Sequence, residues 1–161
     1  MSKLIKLNLY HNFVRENYAM KKYILLMLAV FAMAGCNSDD YNYRNPNLPD
    51  YNFSIDIDMN LPLYYELEFT GNPVYIGQAG IGINGIIVTN TGSGFSAFEA
   101  SCPNQPLSDC SMLGINGINA ICPCDDVEFN LFTGLPSTEV KYSLKPYRVQ
   151  QTGPKTLRVY N

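Results

Sequence analysis

The chain has 161 residues, 47% of them hydrophobic, one histidine, and a formal net charge of −3 from 11 Lys and Arg against 14 Asp and Glu. Residues 36–161 hold six of those cations and thirteen of the acids, a net −7 that excludes the clustered positive charge nucleic-acid binding needs. The histidine, His11, precedes what reads as a cleaved export signal, so Ser-His and Cys-His nucleophile pairs are excluded too.

Met20-Lys21-Lys22 supplies a positive n-region, residues 23–32 an apolar core, and Met33-Ala34-Gly35-Cys36 a small-residue cleavage site. The apolar run is short for a membrane span. Residues 1–19 look less like an export start, and translation is expected to begin at Met20. The alternative for residues 20–34 is a buried helix of a cytosolic domain. A cysteine directly after Ala-Gly resembles the bacterial lipoprotein lipobox, which implies that Cys36 is lipidated and becomes the first residue of the mature protein.

Asn37-Ser38-Asp39-Asp40 and the proline-bearing stretch behind it lack a hydrophobic period and read as a tether. An acidic Ser-Asp-Asp behind the lipidated cysteine is similar to a surface-export signal of Gram-negative bacteria; the alternative is a solvated linker. Together these imply attachment to the outer membrane through the lipid, facing either the periplasm or the cell surface. The expected division is leader and signal peptide over 1–35, lipidated cysteine and flexible tether over 36–50, and one β domain over 51–161.

Residues 53–59 alternate strictly and 63–69 roughly, as half-buried strands do. Further strands are expected at 74–76, 85–89, 94–100, 119–122, 127–130, 142–150 and 156–160. No convincing helical period follows residue 36. Asn84-Gly85 and Asn116-Gly117, inside a repeated Gly-Ile-Asn-Gly-Ile, signal hairpins because both residue types tolerate positive φ. Gly80-Ile81-Gly82-Ile83-Asn84-Gly85 matches the spacing of a dinucleotide-binding loop, but a β-type run follows where that loop must open a helix. These glycines are expected in a turn and bulge, in a small antiparallel all-β domain.

Ser101-Cys102-Pro103-Asn104 follows the segment Gly94-Phe95-Ser96-Ala97-Phe98-Glu99-Ala100, and Ala120-Ile121-Cys122-Pro123-Cys124-Asp125 precedes Val127-Glu128-Phe129-Asn130-Leu131-Phe132-Thr133-Gly134. In order and spacing, residues 74–161 resemble a Rieske [2Fe–2S] domain. The resemblance implies an antiparallel β-sandwich with two cysteine loops at one end. It places the thiol ligands of one iron at Cys102 and Cys122, and the imidazole ligands of the other iron at positions 104 and 125. Those positions hold Asn104 and Asp125. Asparagine is a poor iron ligand and aspartate a harder donor than imidazole, so the usual centre is not expected to form. Any metal bound there would use Cys102, Cys122 and Asp125.

In high-potential members of the family the middle cysteine of the second loop is disulfide-bonded to the first loop. That position is Cys124, and Cys110 is its implied mate. Without a cluster, the same loop architecture would hold Cys102 and Cys122 close enough for a second bridge. Four cysteines allow three pairings, and an oxidising compartment favours disulfides. An all-thiolate cluster or zinc site on Cys102, Cys110, Cys122 and Cys124 competes with this, although Cys122-Pro123-Cys124 leaves only one residue between ligands.

The functional expectation is an envelope lipoprotein whose Rieske-like domain has lost its cluster, carries no cofactor, is stapled by disulfides, and serves a non-enzymatic structural or interaction role with an envelope protein. The alternatives are an electron carrier with an atypical [2Fe–2S] centre, and a calcium- or carbohydrate-binding module using Asp56, Asp58, Asp125 and Asp126. Tyr64, Tyr65, Phe129 and Tyr147 are expected in the core or on a binding face.

Overall fold

The computed structural model describes residues 44–161. The start at Met20, the export signal, His11, Cys36 and the Ser-Asp-Asp stretch lie outside the described residues.

Among the described residues nine strands form three antiparallel three-stranded sheets: β1 (Ser54–Asp58), β2 (Pro73–Ile76), β3 (Ile86–Asn90), β4 (Phe95–Glu99), β5 (Gly114–Asn116), β6 (Asn119–Ile121), β7 (Glu128–Asn130), β8 (Arg148–Gly153) and β9 (Thr156–Tyr160). The sheet orders are β1-β9-β8, β2-β3-β4 and β5-β6-β7. The all-β antiparallel class read from the sequence is the class of the structure, with two cysteine loops brought together.

The middle sheet separates two cores. Ile86, Val88 and Ala97 pack with Ile57, Leu157 and Val159 of the first sheet, whereas Ile87, Phe98 and Ala100 pack with Ala120, Phe129 and Leu131 on the other side. Successive strand side chains point to opposite faces. A strand covered on both faces must therefore be apolar throughout, which explains the unbroken Ile86-Ile87-Val88. Each such side chain withdrawn from water contributes about 1.5–3 kcal/mol.

Three local expectations are corrected. Residues 63–69 form turns and a short 3-10 helix, Tyr65–Glu68, in place of a strand. Only Leu67 of that helix is buried, and Leu63, Tyr65 and Phe69 face solvent, so the apparent alternation never meets a sheet. Residues 142–147 are not a strand either. Leu144 and Lys145 are buried by loop contacts, with Leu144 N–H donating to Gly134 O at 2.9 Å, and pairing with β9 begins only at Arg148. Asn84-Gly85 is no tight hairpin, because residues 77–85 form a longer connection between β2 and β3.

The tether read over 36–50 is docked from Asn45 onward. Asn45 and Leu48 are buried, and Lys145 Nζ reaches back to Pro49 O at 2.8 Å and Asp50 Oδ1 at 2.6 Å. Leu48 gives this segment an apolar anchor, and the buried Lys145 ammonium takes its acceptors from it.

Candidate functional site

The first cysteine loop leaves β4 and is pinched shut by ladder-like bonds. Leu113 N–H donates to Ala100 O at 2.8 Å and Cys102 N–H to Ser111 O at 2.7 Å. Inside the loop, Ser108 N–H donates to Ser111 Oγ at 2.8 Å. The tether caps the loop from outside, with Asn45 Nδ2 and Asn47 Nδ2 donating to Pro103 O at 2.7 and 3.0 Å.

The second loop joins β6 to β7. Cys122 N–H donates to Val127 O at 3.0 Å, and Asp126 N–H to Cys122 O at 2.9 Å. Asp125 Oδ1 accepts Val127 N–H at 3.1 Å. Asp126, at φ 58°, is the one non-glycine residue with positive φ among the described residues, a conformation aspartate tolerates better than most.

These loops bring the four cysteines together as two disulfides. Cys102 is bonded to Cys122 and Cys110 to Cys124, with Cα separations of 5.5 and 5.2 Å, inside the usual range for a bridge. The Cys102–Cys122 pair lies in the second core, both residues 1% exposed. Cys110 is exposed and Cys124 half-buried. The Sγ atoms of Cys102, Cys122 and Cys124 lie within 4.8 Å of one another.

Asn104 and Asp125, where the sequence resemblance implied imidazoles, are occupied otherwise. Asn104 Nδ2 donates to Tyr142 O at 2.9 Å, and Asn104 Oδ1 accepts Tyr142 N–H at 2.8 Å, so both ends of the amide pair with one backbone residue. Asp125 is exposed and closes its own turn, while its Oδ2 lies 3.5 Å from Gln105 Nε2. A [2Fe–2S] centre needs free thiolates and two further ligands. Here the inner thiols are bonded to each other and the amide is spent on the backbone; this donor set does not fit the cluster.

The other acidic candidates serve local structure. Asp56 and Arg158 face each other across β1 and β9, with Nε and Nη2 donating to the two carboxylate oxygens at 2.7 and 3.1 Å. Asp58 Oδ1 accepts the backbone and side-chain N–H groups of Asn60. Of the aromatics, Tyr64, Phe129 and Tyr147 are buried and Tyr65 is exposed.

A second polar centre, between the middle sheet and the 77–85 connection, was not anticipated from the sequence. Glu99 is fully buried on β4. Its Oε2 accepts Ile83 N–H at 2.8 Å and Tyr147 O–H at 2.7 Å; its Oε1 accepts Asn84 N–H at 3.0 Å and Ser101 O–H at 2.9 Å. The glycine pattern that mimics a phosphate loop thus presents its backbone N–H groups to an internal carboxyl. A Cβ on Gly82 would stand 2.8 Å from Glu99 Oε2, so the loop needs glycine there to close on it. Burial, followed by the negative charge of Glu99 and the hydrogen bond to it, raises the Tyr147 hydroxyl well above the ordinary tyrosine range. The available signal was a lone acid in the otherwise apolar run 97–100, flanked by a strand buried on both faces. Gln105, which donates to Cys122 Sγ at 3.0 Å, was also missed, since nothing local marks it.

No family model and no curated protein matches the chain. Among solved structures the similarity is low. One is a chain from the complex of reduced oxygenase and oxidized ferredoxin in carbazole 1,9a-dioxygenase, 21% identical over 56% of this chain and 82% of that one, with a TM-score of 0.40. Another is described as an NADH-dependent nitrite reductase small subunit from Mycobacterium tuberculosis, 17% identical over 70% and 97%, with a TM-score of 0.42. The ferredoxin of carbazole 1,9a-dioxygenase from Nocardioides aromaticivorans IC177 is 16% identical over 68% and 97%, with a TM-score of 0.41. Likeness at this level assigns neither cofactor nor activity to the chain.

Proposed function

We propose that residues 51–161 are a Rieske-like domain whose cluster site has become a pair of disulfides, and that the protein is a lipid-anchored envelope component with a non-enzymatic structural or interaction role. The observation that carries this reading is the bond between Cys102 and Cys122, the two positions at which the resemblance places iron-ligating thiols. The commitment of Asn104 to the Tyr142 backbone supports it, because an iron ligand at that position would have to break two hydrogen bonds.

The lipobox-like Ala34-Gly35-Cys36 sequence supports a lipid anchor at Cys36 and placement at the outer membrane. The docked tether then carries the chain into the domain beside the first cysteine loop, through Asn45 and Pro103. An interaction role is supported by Leu61, Leu63, Tyr65 and Phe69, which stand exposed on and around the 3-10 helix, with Tyr65 and Phe69 edge to face at 5.3 Å.

The second reading, an electron carrier with an atypical [2Fe–2S] centre, draws on the convergence of three sulfurs within 4.8 Å. The calcium or glycan module has less support, since Asp56 and Asp58 already have partners. The full chain, exported with iron supplied, separates these readings. The proposal expects a colourless protein without stoichiometric iron or sulfide, whose melting temperature does not respond to calcium. Visible bands with iron and sulfide would overturn it in favour of the carrier, and a calcium-dependent shift would favour the module.

A further inference from the structure

The two disulfides differ in access and stand against each other. The Cys102–Cys122 bond is sealed in the core, whereas the Cys110–Cys124 bond meets solvent at Cys110. Cys124 Sγ lies within 4.8 Å of both sulfurs of the inner bond. Hydrogen-bond donors surround the sulfurs as well. Ser108 Oγ is 3.3 Å from Cys110 Sγ and 3.8 Å from Cys124 Sγ, and Gln105 Nε2 donates to Cys122 Sγ at 3.0 Å. Two staples that only hold loops together need neither this adjacency nor donors at the atoms that would become thiolates.

We propose that the cysteine loops form a thiol–disulfide exchange site, in which an external dithiol reduces the outer bond and Cys124 passes the electrons to the inner pair. A thiolate of the dithiol attacks Cys110 Sγ, breaking the Cys110–Cys124 bond and releasing Cys124 as a thiolate. The second thiol of the donor then attacks its own sulfur in the mixed disulfide, leaving the donor as a disulfide and Cys110 as a thiol. Cys124 attacks Cys102 Sγ next, forming Cys102–Cys124 and releasing Cys122, whose charge meets the Gln105 amide. Cys110 attacks Cys124 Sγ, which re-forms the outer bond and frees Cys102. The dithiol has lost two electrons and two protons, and Cys102 and Cys122 have gained them as two thiols.

Three exposed carboxylates adjoin the outer pair in sequence, Asp109 before Cys110 and Asp125 and Asp126 after Cys124. They disfavour an anionic thiol such as glutathione and suit a neutral small dithiol or a protein dithiol on a cationic surface.

The inference rests on the disulfide reading of the same site, and the experiment separates the two. Full-length chain is treated with limiting dithiothreitol under native conditions, trapped with N-ethylmaleimide and mapped by peptide mass. Label should appear on Cys110 and Cys124 and pass to Cys102 and Cys122, and in C110S/C124S the inner pair should react about tenfold more slowly. Because that double variant removes a staple, C110S alone gives a second readout. Its Cys124 should exchange without added reductant, yielding a Cys102–Cys124 peptide in part of the population. Retention of Cys102–Cys122 alone in C110S, or equal inner-pair reduction in wild type and double variant, overturns the relay and leaves the disulfides standing. Free thiols at Cys102, Cys110, Cys122 or Cys124 in the untreated wild-type chain overturn both.

Discussion

Glu99 shows how much a single buried side chain can organise. Its four hydrogen bonds join the 77–85 connection, β4 and Tyr147, so replacing one acceptor oxygen with an amide turns two donors against each other. Glu99→Gln is expected to cost about 2–4 kcal/mol, read from chemical denaturation, because a buried polar group is left unsatisfied. Tyr147 titrates above its unfolded value, so its contribution is fully present below about pH 10 and is lost as pH rises toward the folded value. Wild type should therefore lose stability above about pH 10 more steeply than Tyr147→Phe, measured by denaturation at stepped alkaline pH. Sequence alone marked Cys102, Asn104, Cys122, Cys124 and Asp125 through their spacing. It did not mark Glu99 or Gln105, whose partners, Ser101 apart, come from segments distant in the chain.

At the scale of elements, alternation identified the strands that pack on a core, and failed where packing does not follow sequence. β5 was missed because Gly114, Ile115 and Asn116 are all exposed and leave no pattern. Residues 63–69 alternate yet have no strand partner among the described residues, and their backbone closes on itself through Leu67 N–H to Tyr64 O and Phe69 N–H to Glu66 O. The Asn116-Gly117 signal located a real hairpin with its loop one residue further on. Asn116 pairs with Asn119, and Gly117, at φ 58°, takes the first loop position, where a type II′ turn requires it. Gly134 ends the Phe-Asn-Leu-Phe-Thr-Gly segment at φ 73°, and a Cβ there would stand 2.6 Å from Phe98 Cε1. Gly134→Ala is expected to destabilise by about 1–3 kcal/mol, since positive φ and a core clash add, and a thermal melt would measure it.

At the scale of the whole molecule, two cores and two disulfides tie the loops of the described residues together. In the chain-entropy view each bridge contributes about 2–4 kcal/mol, and the inner one also joins β4 to β6 through the core. All-β class and loop order were legible because strand periodicity and cysteine spacing are local. The cysteine pairs, Cys102 with Cys122 and Cys110 with Cys124, were expected from the resemblance and from the oxidising compartment, not from spacing alone, because the same spacing serves a cluster, a zinc site or disulfides. The central claim is that the thiols at the cluster positions are bonded to each other. Non-reducing peptide mapping of the exported full chain tests it most directly. The account predicts linked peptides for Cys102 with Cys122 and Cys110 with Cys124, and alkylation of those four residues only after reduction. Cys102 and Cys122 found as free thiols alongside stoichiometric iron and sulfide would contradict it.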